Sequence, residues 1–273
     1  MTEREIVLCS PVRTPIGKFS GAFVGTPATE LGAVAIKASL ERAGIETRQI
    51  DTVVMGNVIQ AGVGMNPARQ ASVNAGIPVD APAMTVNRVC GSGAQAIASA
   101  AQEIMLGFVD CAVAGGMENM DRAPYLLGRG RFGYRLGPAE ILDAMLTDGL
   151  NDAFSGEHSG WHTEDLVARY EISREDQDRW ALRSQQRFTA GQQAGKFSEE
   201  IVPVEVKGRK GSVTVDTDEG PRADATLEAL SGLKPAFRKD GTITAGNAPG
   251  MNSGGAAMIV GERGWAEKHG LEP

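Results

Sequence analysis

From residue 5 to residue 118 the apolar positions switch between a strand-like spacing and a helical one. Glu5–Cys9 predicts a strand that stops near Pro11. Thr26 and Pro27 open a helix with Leu31, Val34, Ala35 and Ala38 on one face, and Gly44 closes it. Asp51–Ile59 is strand-like; Asn66 caps and Pro67 starts a short helix that ends at Gly76. A strand with Met84, Val86 and Val89 follows, then a helix with Ala94, Ile97, Ala98, Ala101, Ile104 and Met105 at helical spacing, closed by Gly107. Val109–Ala114 is the next strand. This rhythm predicts a layered α/β domain.

The texture changes near Asn119. Glycine, arginine and aromatic residues fill Arg122–Gly137, and Ala139–Thr147 reads as a helix. Ser173-Arg174-Glu175-Asp176 has the form of a helix-starting box before a long polar helix that runs to about Gly195. Glu200–Val206 and Ser212–Asp216 predict a hairpin around Gly208 and Gly211. Gly254–Val260 returns to an apolar strand, followed by a helix from Glu262 to His269. The expected organisation is a core of residues 1–118 plus 250–273, with an inserted α+β loop domain at 119–249.

One residue gives this scaffold a chemistry. Cys90 lies where the strand ends and the helix begins, in Asn87-Arg88-Val89-Cys90-Gly91-Ser92-Gly93-Ala94-Gln95-Ala96. Backbone N–H groups and the macrodipole at a helix N-terminus favour a thiolate. Gly91 and Gly93 take side chains away where a substrate would approach. The plain alternative is a small buried packing residue. A second alternative is the dinucleotide turn G-x-G-x-x-A, which Gly91–Ala96 fits. Its ribose-binding acid belongs at the far end of the next strand, whereas Asp110 begins that strand, so the dinucleotide reading is set aside.

Composition narrows the setting. A chain of 273 residues with 42% apolar residues suits a globular protein with a sizeable core. The net charge of −7 argues against nucleic acid as a main partner. Arg129, Arg131 and Arg135 form a local basic cluster, as readily a solvated loop as a binding patch. No stretch approaches a membrane span, and Met1-Thr2-Glu3-Arg4-Glu5 does not suit a secretory signal. Three cysteines without framework spacing point to a reducing compartment, and a cytoplasmic location is expected. Cys9 and Cys111 sit in apolar runs and read as core. His158 and His162 stand four apart but with Gly160 between them, in a stretch that reads as loop without a third ligand; no metal site is expected.

Asn87–Ala96 resembles the active-site cysteine segment of the thiolases, the acyl-CoA acyltransferases. Val113-Ala114-Gly115-Gly116-Met117-Glu118-Asn119-Met120 resembles their next motif. Ile6–Phe19, Ile201–Asp218, Leu233-Lys234-Pro235-Ala236-Phe237 and Thr242–Ala257 resemble further family segments in the same order. The resemblance covers the whole chain. It implies a thiolase-like N-terminal layered domain with an inserted loop domain. It also implies acyl-CoA C-acyltransfer, an acetyl or acyl group passing between CoA thioesters through an acyl-cysteine at Cys90. Coenzyme A thioester is then substrate and no separate cofactor is implied.

By the same resemblance His158, Arg222, Phe237, Ala245 and Met251 are CoA-binding residues. Ser159 stands where the family has methionine, and Trp161 and His162 replace small residues. Pro249 stands for a usual serine and Ser253 for an aspartate. The family's Gly-His-Pro histidine, its Cys-x-Gly cysteine and its water-holding asparagine have no match here. The expectation is therefore a chain without the C-terminal thiolase domain and with little turnover alone. It would self-associate as a homo-oligomer or pair with a companion C-terminal half. The rival from another class is a non-catalytic CoA-binding or oligomer-forming remnant. A ketosynthase or hydroxymethylglutaryl-CoA synthase is a further alternative that the segments from Ile201 to Gly255 disfavour.

Overall fold

The computed structural model describes residues 4–208 and 211–273. Residues 1–3, part of the segment read above as unsuited to a secretory signal, lie outside the described residues, as do residues 209–210 at the tip of the expected hairpin. In chain order come β1 (Ile6–Arg13), β2 (Gly17–Lys18), α1 (Ala28–Ala43), β3 (Thr52–Gly56), α2 (Pro67–Asn74), β4 (Ala83–Val86), α3 (Ser92–Met105) and β5 (Cys111–Asn119). Then follow β6 (Tyr125–Leu126), β7 (Leu142–Asp143), α4 (Ser159–Arg169) and α5 (Arg174–Gln193). The last are β8 (Val204–Gly208), β9 (Gly211–Val215), α6 (Leu227–Ser231), β10 (Asn252–Glu262) and α7 (Arg263–Lys268).

Local chemistry sets several of these boundaries. Pro27 is the N-cap of α1, and Gly44 closes it in the left-handed region at φ 66°. The Asn66 side chain accepts the Arg69 N–H at 3.2 Å, with Pro67 first in α2. Ser173 caps α5 by accepting the Asp176 N–H at 3.1 Å.

Five strands form a mixed sheet in the order β1-β10-β5-β3-β4, and β2 adds to β10. β3 pairs parallel with both β4 and β5, whereas β10 pairs antiparallel with β5 and β1. Alternate strand residues serve opposite faces, as pleating requires. Val53, Met55, Cys111, Val113 and Ile259 face the core with α1 and α2, from which Ile36 and Ala71 come. Val54, Ala112, Ala114 and Val260 face Ala96, Ala100 and Ile104 of α3. The layered α/β expectation thus has its physical basis in one sheet covered on both faces.

The chain divides into two compact units. One comprises the chain up to Ala123 with Glu199–Glu219 and Asn252–Pro273; the other comprises Pro124–Ser198 and Gly220–Met251. The β8–β9 hairpin, expected inside the 119–249 insert, therefore lies in the first unit. Val204 packs there with Phe23 and Leu31, and Arg13 donates to Asp218 at 2.7 Å.

Three further expectations change. β1 does not stop at Pro11: a register shift between Cys9 and Val12, with Ser10 at φ 50°, lets an edge strand carry the proline on to Arg13. Ala139–Thr147 is not an α-helix; it holds β7 and runs into a π-type turn over Met145–Leu150. The α3 face against the sheet is Ala96, Ala100 and Ile104, while Ala94, Ala98 and Met105 are exposed. No helix among the described residues is long and apolar enough to cross a membrane.

Candidate active site

In the first unit β4 ends at Val86 and α3 begins at Ser92, leaving five residues to turn the chain. Val89 takes φ 49°, a left-handed conformation that is a genuine outlier for a β-branched residue. Side chains on both sides hold it. Asn87 Oδ1 accepts the Val89 N–H at 2.9 Å. Ser92 Oγ accepts the Arg88 N–H at 2.8 Å and donates to the Val89 carbonyl at 2.6 Å. Cys90 is the next residue, one ahead of the N-cap Gly91, and it is exposed. Cys9 and Cys111 are buried, and burial pushes both thiols up from their ordinary range.

Glycines set α3 close to the sheet beneath this turn. A Cβ on Gly56, at the end of β3, would lie 2.6 Å from the Ser92 carbonyl carbon and 2.7 Å from the Gly93 nitrogen. A Cβ on Gly116 would lie 3.4 Å from Gly93 Cα. The close approach is thus required of Gly56 and Gly116; a Cβ on Gly93 itself would lie 3.9 Å from the Gly115 carbonyl oxygen, an ordinary contact.

In the second unit the His158 segment, read as loop, is helical: His158 is the N-cap of α4. Its Nδ1 accepts the Gly160 N–H at 2.9 Å, and its ring stacks on Phe237 with centroids 4.6 Å apart. Burial holds the imidazole below its ordinary pKa. Gly160 is required by packing, not by a turn: its Cβ would lie 2.6 Å from Phe237 Cζ. His162 Nε2 lies 2.7 Å from Ser155 Oγ, which donates to Asp152 at 2.9 Å. The Arg238 guanidinium sits 3.7 Å from the centroid of the Trp161 ring.

Of the five expected CoA-binding residues, His158 and Phe237 are in contact. Arg222, Ala245 and Met251 belong to the same unit and are exposed. The Arg222 N–H donates to Gln185 Oε1 at 2.8 Å. Ala245 lies in a turn in which Asn247 Oδ1 accepts the Thr244 N–H at 2.8 Å.

The family model described as the N-terminal domain of thiolase matches residues 6–264. This chain belongs to the thiolase family. It is 50% identical over 270 residues to an acetyl-CoA acetyltransferase of Cupriavidus necator, covering 98% of this chain and 69% of that protein. It is 48% identical to an acetyl-CoA acetyltransferase of Pseudomonas aeruginosa, covering 94% of this chain and 66% of that one. The crystal structure of the Bacillus anthracis acetyl-CoA acetyltransferase superposes with a TM-score of 0.96 at 41% identity, over 99% of this chain and 68% of its own. The chain thus spans about two thirds of the length of these relatives.

In this thiolase one residue near the cysteine turn escaped the sequence reading except as part of a motif. Glu118 lies near the C-terminal end of β5. It accepts the Val58 N–H at 2.8 Å, the Ile59 N–H at 3.3 Å and the Asn57 amide at 2.9 Å. Burial pushes its carboxyl above the ordinary carboxylate range, against the pull of those donors. The available signal was the one charged residue in the strand Cys111–Asn119, directly after an apolar run.

Proposed function

We propose that this chain carries the acylation half of acyl-CoA C-acyltransfer, with Cys90 as the nucleophile. The observation that supports it best is an exposed thiol placed immediately after a strained, side-chain-held turn in a thiolase-family chain. The thiolate Sγ attacks the thioester carbonyl, the carbonyl–sulfur bond to CoA breaks, and CoA leaves as its thiolate. The acyl group then rests on Cys90. The Cys90 N–H supplies one donor to the oxyanion. His158 and Phe237 offer a neutral aromatic pair to the CoA moiety, and Arg222 a cation for its phosphates or adenine.

The family's histidine base, second cysteine and water-holding asparagine have no match in this sequence. Acid–base help is worth roughly 10²–10⁴ in rate. Residues 1–273 span about two thirds of the relatives' length, and their turnover should accordingly rise when a C-terminal thiolase segment supplies those groups. Met105, Leu106 and Phe108 are exposed around the end of α3, which favours a protein that covers them by self-association or by such a half. Three free thiols fit a reducing, cytoplasmic setting.

Mass spectrometry after incubation with acetyl-CoA tests the reading. An acetyl adduct on Cys90, absent in Cys90→Ala, is the expected result. CoA binding without any adduct, with or without the supplied C-terminal half, would establish the non-catalytic remnant instead.

A further inference from the structure

We propose that Glu118 is a positioning residue for Cys90, acting through residues 57–59 and Asn87 on the left-handed turn at Val89. The inference rests on Cys90 being the nucleophile, yet its geometry is independent of any acyl chemistry.

The linkage runs through consecutive contacts within the first unit. Glu118 Oε2 holds the N–H groups of Val58 and Ile59, and Oε1 holds the Asn57 side-chain amide. Asn57 is 1% exposed, and its amide also donates to the Met117 carbonyl at 3.1 Å. The segment so fixed touches the cysteine turn twice. The Asn57 N–H donates to the Val86 carbonyl at 3.1 Å, which ties it to the end of β4. The Val58 carbonyl accepts the Asn87 side-chain amide at 3.4 Å, the longest link. That second contact orients Asn87, whose Oδ1 then points at the Val89 N–H.

Each step has a chemical reason. Val58 and Ile59 follow the end of β3, so their N–H groups have no ladder partner and need an acceptor. A carboxylate offers several lone pairs from one short side chain, which no apolar residue in β5 would supply. Asn87 needs both ends of its amide at once: the nitrogen on Val58, the oxygen on Val89. Val89 in turn needs an external partner, because a β-branched residue does not stay left-handed unaided. A carboxylate retained at a desolvated place in a strand has a use when its donors lead to the reactive turn.

The test is alkylation of the native full chain by iodoacetamide, followed by intact-mass measurement. Cys9 and Cys111 are buried, so Cys90 is the thiol that reports. Each rate is divided by that of the urea-unfolded variant, which removes intrinsic thiol reactivity. Glu118→Gln and Asn87→Ala should each slow alkylation roughly three- to tenfold, and the double variant should be no slower than Asn87→Ala alone. Asn87→Asp keeps the acceptor for Val89 while losing the donor to Val58; it should slow alkylation about as much as Glu118→Gln and become insensitive to that second substitution. Val89→Gly should likewise erase the Glu118 effect, since glycine adopts the turn without support.

A folded Glu118→Gln within about twofold of wild type overturns the proposal, as do effects of Glu118→Gln and Asn87→Ala that multiply. Should Glu118→Gln fail to fold, Asn87→Asp alkylating within about twofold of wild type overturns it equally. Because iodoacetamide needs no acyl-CoA, a failure of Cys90 to take an acetyl group leaves this result standing.

Discussion

The two compact units are held together by different means. In the first, strand residues alternate between two apolar faces, and the fully buried side chains include Phe23, Leu31, Ile36, Met55 and Ile259. In the second, the buried apolar residues among those described are Ala144, Met145, Leu230 and Ile243. Its interior leans instead on carboxylates. Glu164, 5% exposed, accepts the Thr242 N–H at 2.9 Å and the Ile243 N–H at 2.8 Å. Asp178, 1% exposed, meets Arg174 at 2.7 Å and the Asn247 amide at 3.0 Å. A unit with little apolar surface to bury can still be specific, provided its buried polar groups are satisfied.

The contrast breaks most strongly at single residues. Ile36→Ala empties a fully buried site between α1 and the sheet and should cost about 4 kcal/mol. Asp178→Ala should cost about 2 kcal/mol, because it removes the carboxylate partner of Arg174 Nε and the shorter acceptor of the Asn247 amide; Arg174 keeps the Leu230 and Leu233 carbonyls and is a quarter exposed, which tempers the loss. Trp265 reports on the first unit, and Trp161 and Trp180 on the second. Urea unfolding followed in Trp265→Phe and in a Trp161→Phe/Trp180→Phe double variant separates the two. Ile36→Ala should move the Trp265 transition and Asp178→Ala the other. Equal shifts of both transitions by either substitution would mean that the units do not differ as described.

The same contrast decides what could be read from sequence. The first unit was legible because apolar burial has a period: β3, α2 and α3 follow from spacing, with Asn66 and Pro67 marking a start. It failed at β1, where Pro11 looked like a stop and a bulge carried the strand past it. The second unit was legible at α5, whose Ser173 cap is a local signal. Elsewhere its order depends on partners remote in sequence. Nothing near Glu164 announces Thr242, and nothing near Gly160 announces Phe237. Gly160 therefore read as a loop glycine. The strand–helix junction at Cys90 was visible from its glycines, but the contacts behind it were not, since Glu118 meets Val58 and the Val58 carbonyl meets Asn87 across long separations in sequence.

Gly160 sharpens the comparison at a smaller scale. Alanine there improves helix propensity by about 1 kcal/mol. Its Cβ, however, falls on the Phe237 ring, and overpacking of this kind costs about 1–3 kcal/mol. Gly160→Ala should therefore destabilise the second unit by about 1 kcal/mol and separate the His158 and Phe237 rings. The Trp161 and Trp180 transition measures the first effect, and nuclear Overhauser contacts between the two rings measure the second. A more stable variant with the ring contacts intact would show that Phe237 yields freely and that Gly160 is no packing requirement.

Acid should act on the two units with opposite sign, through one residue in each. Glu118 has its pKa raised from the ordinary 4.5 by burial. Folding therefore makes it easier to protonate, so its contribution is fully present below 4.5 and is lost as pH rises through the raised value. His158 has its pKa lowered from the ordinary 6.5, again by burial. Folding makes it harder to protonate, so its contribution is present above 6.5 and is lost as pH falls through the lowered value. Other carboxylates titrate in the same range, so the useful quantity is wild type minus variant at each pH. From pH 6.5 down to 4.5, the stability difference between wild type and Glu118→Gln in the Trp265 transition should move in favour of wild type. Over the same span the difference between wild type and His158→Gln in the Trp161 and Trp180 transition should move against it. Two slopes of the same sign would mean that burial does not govern both groups, since burial favours the neutral form of an acid and of a base alike and so moves the two in opposite directions.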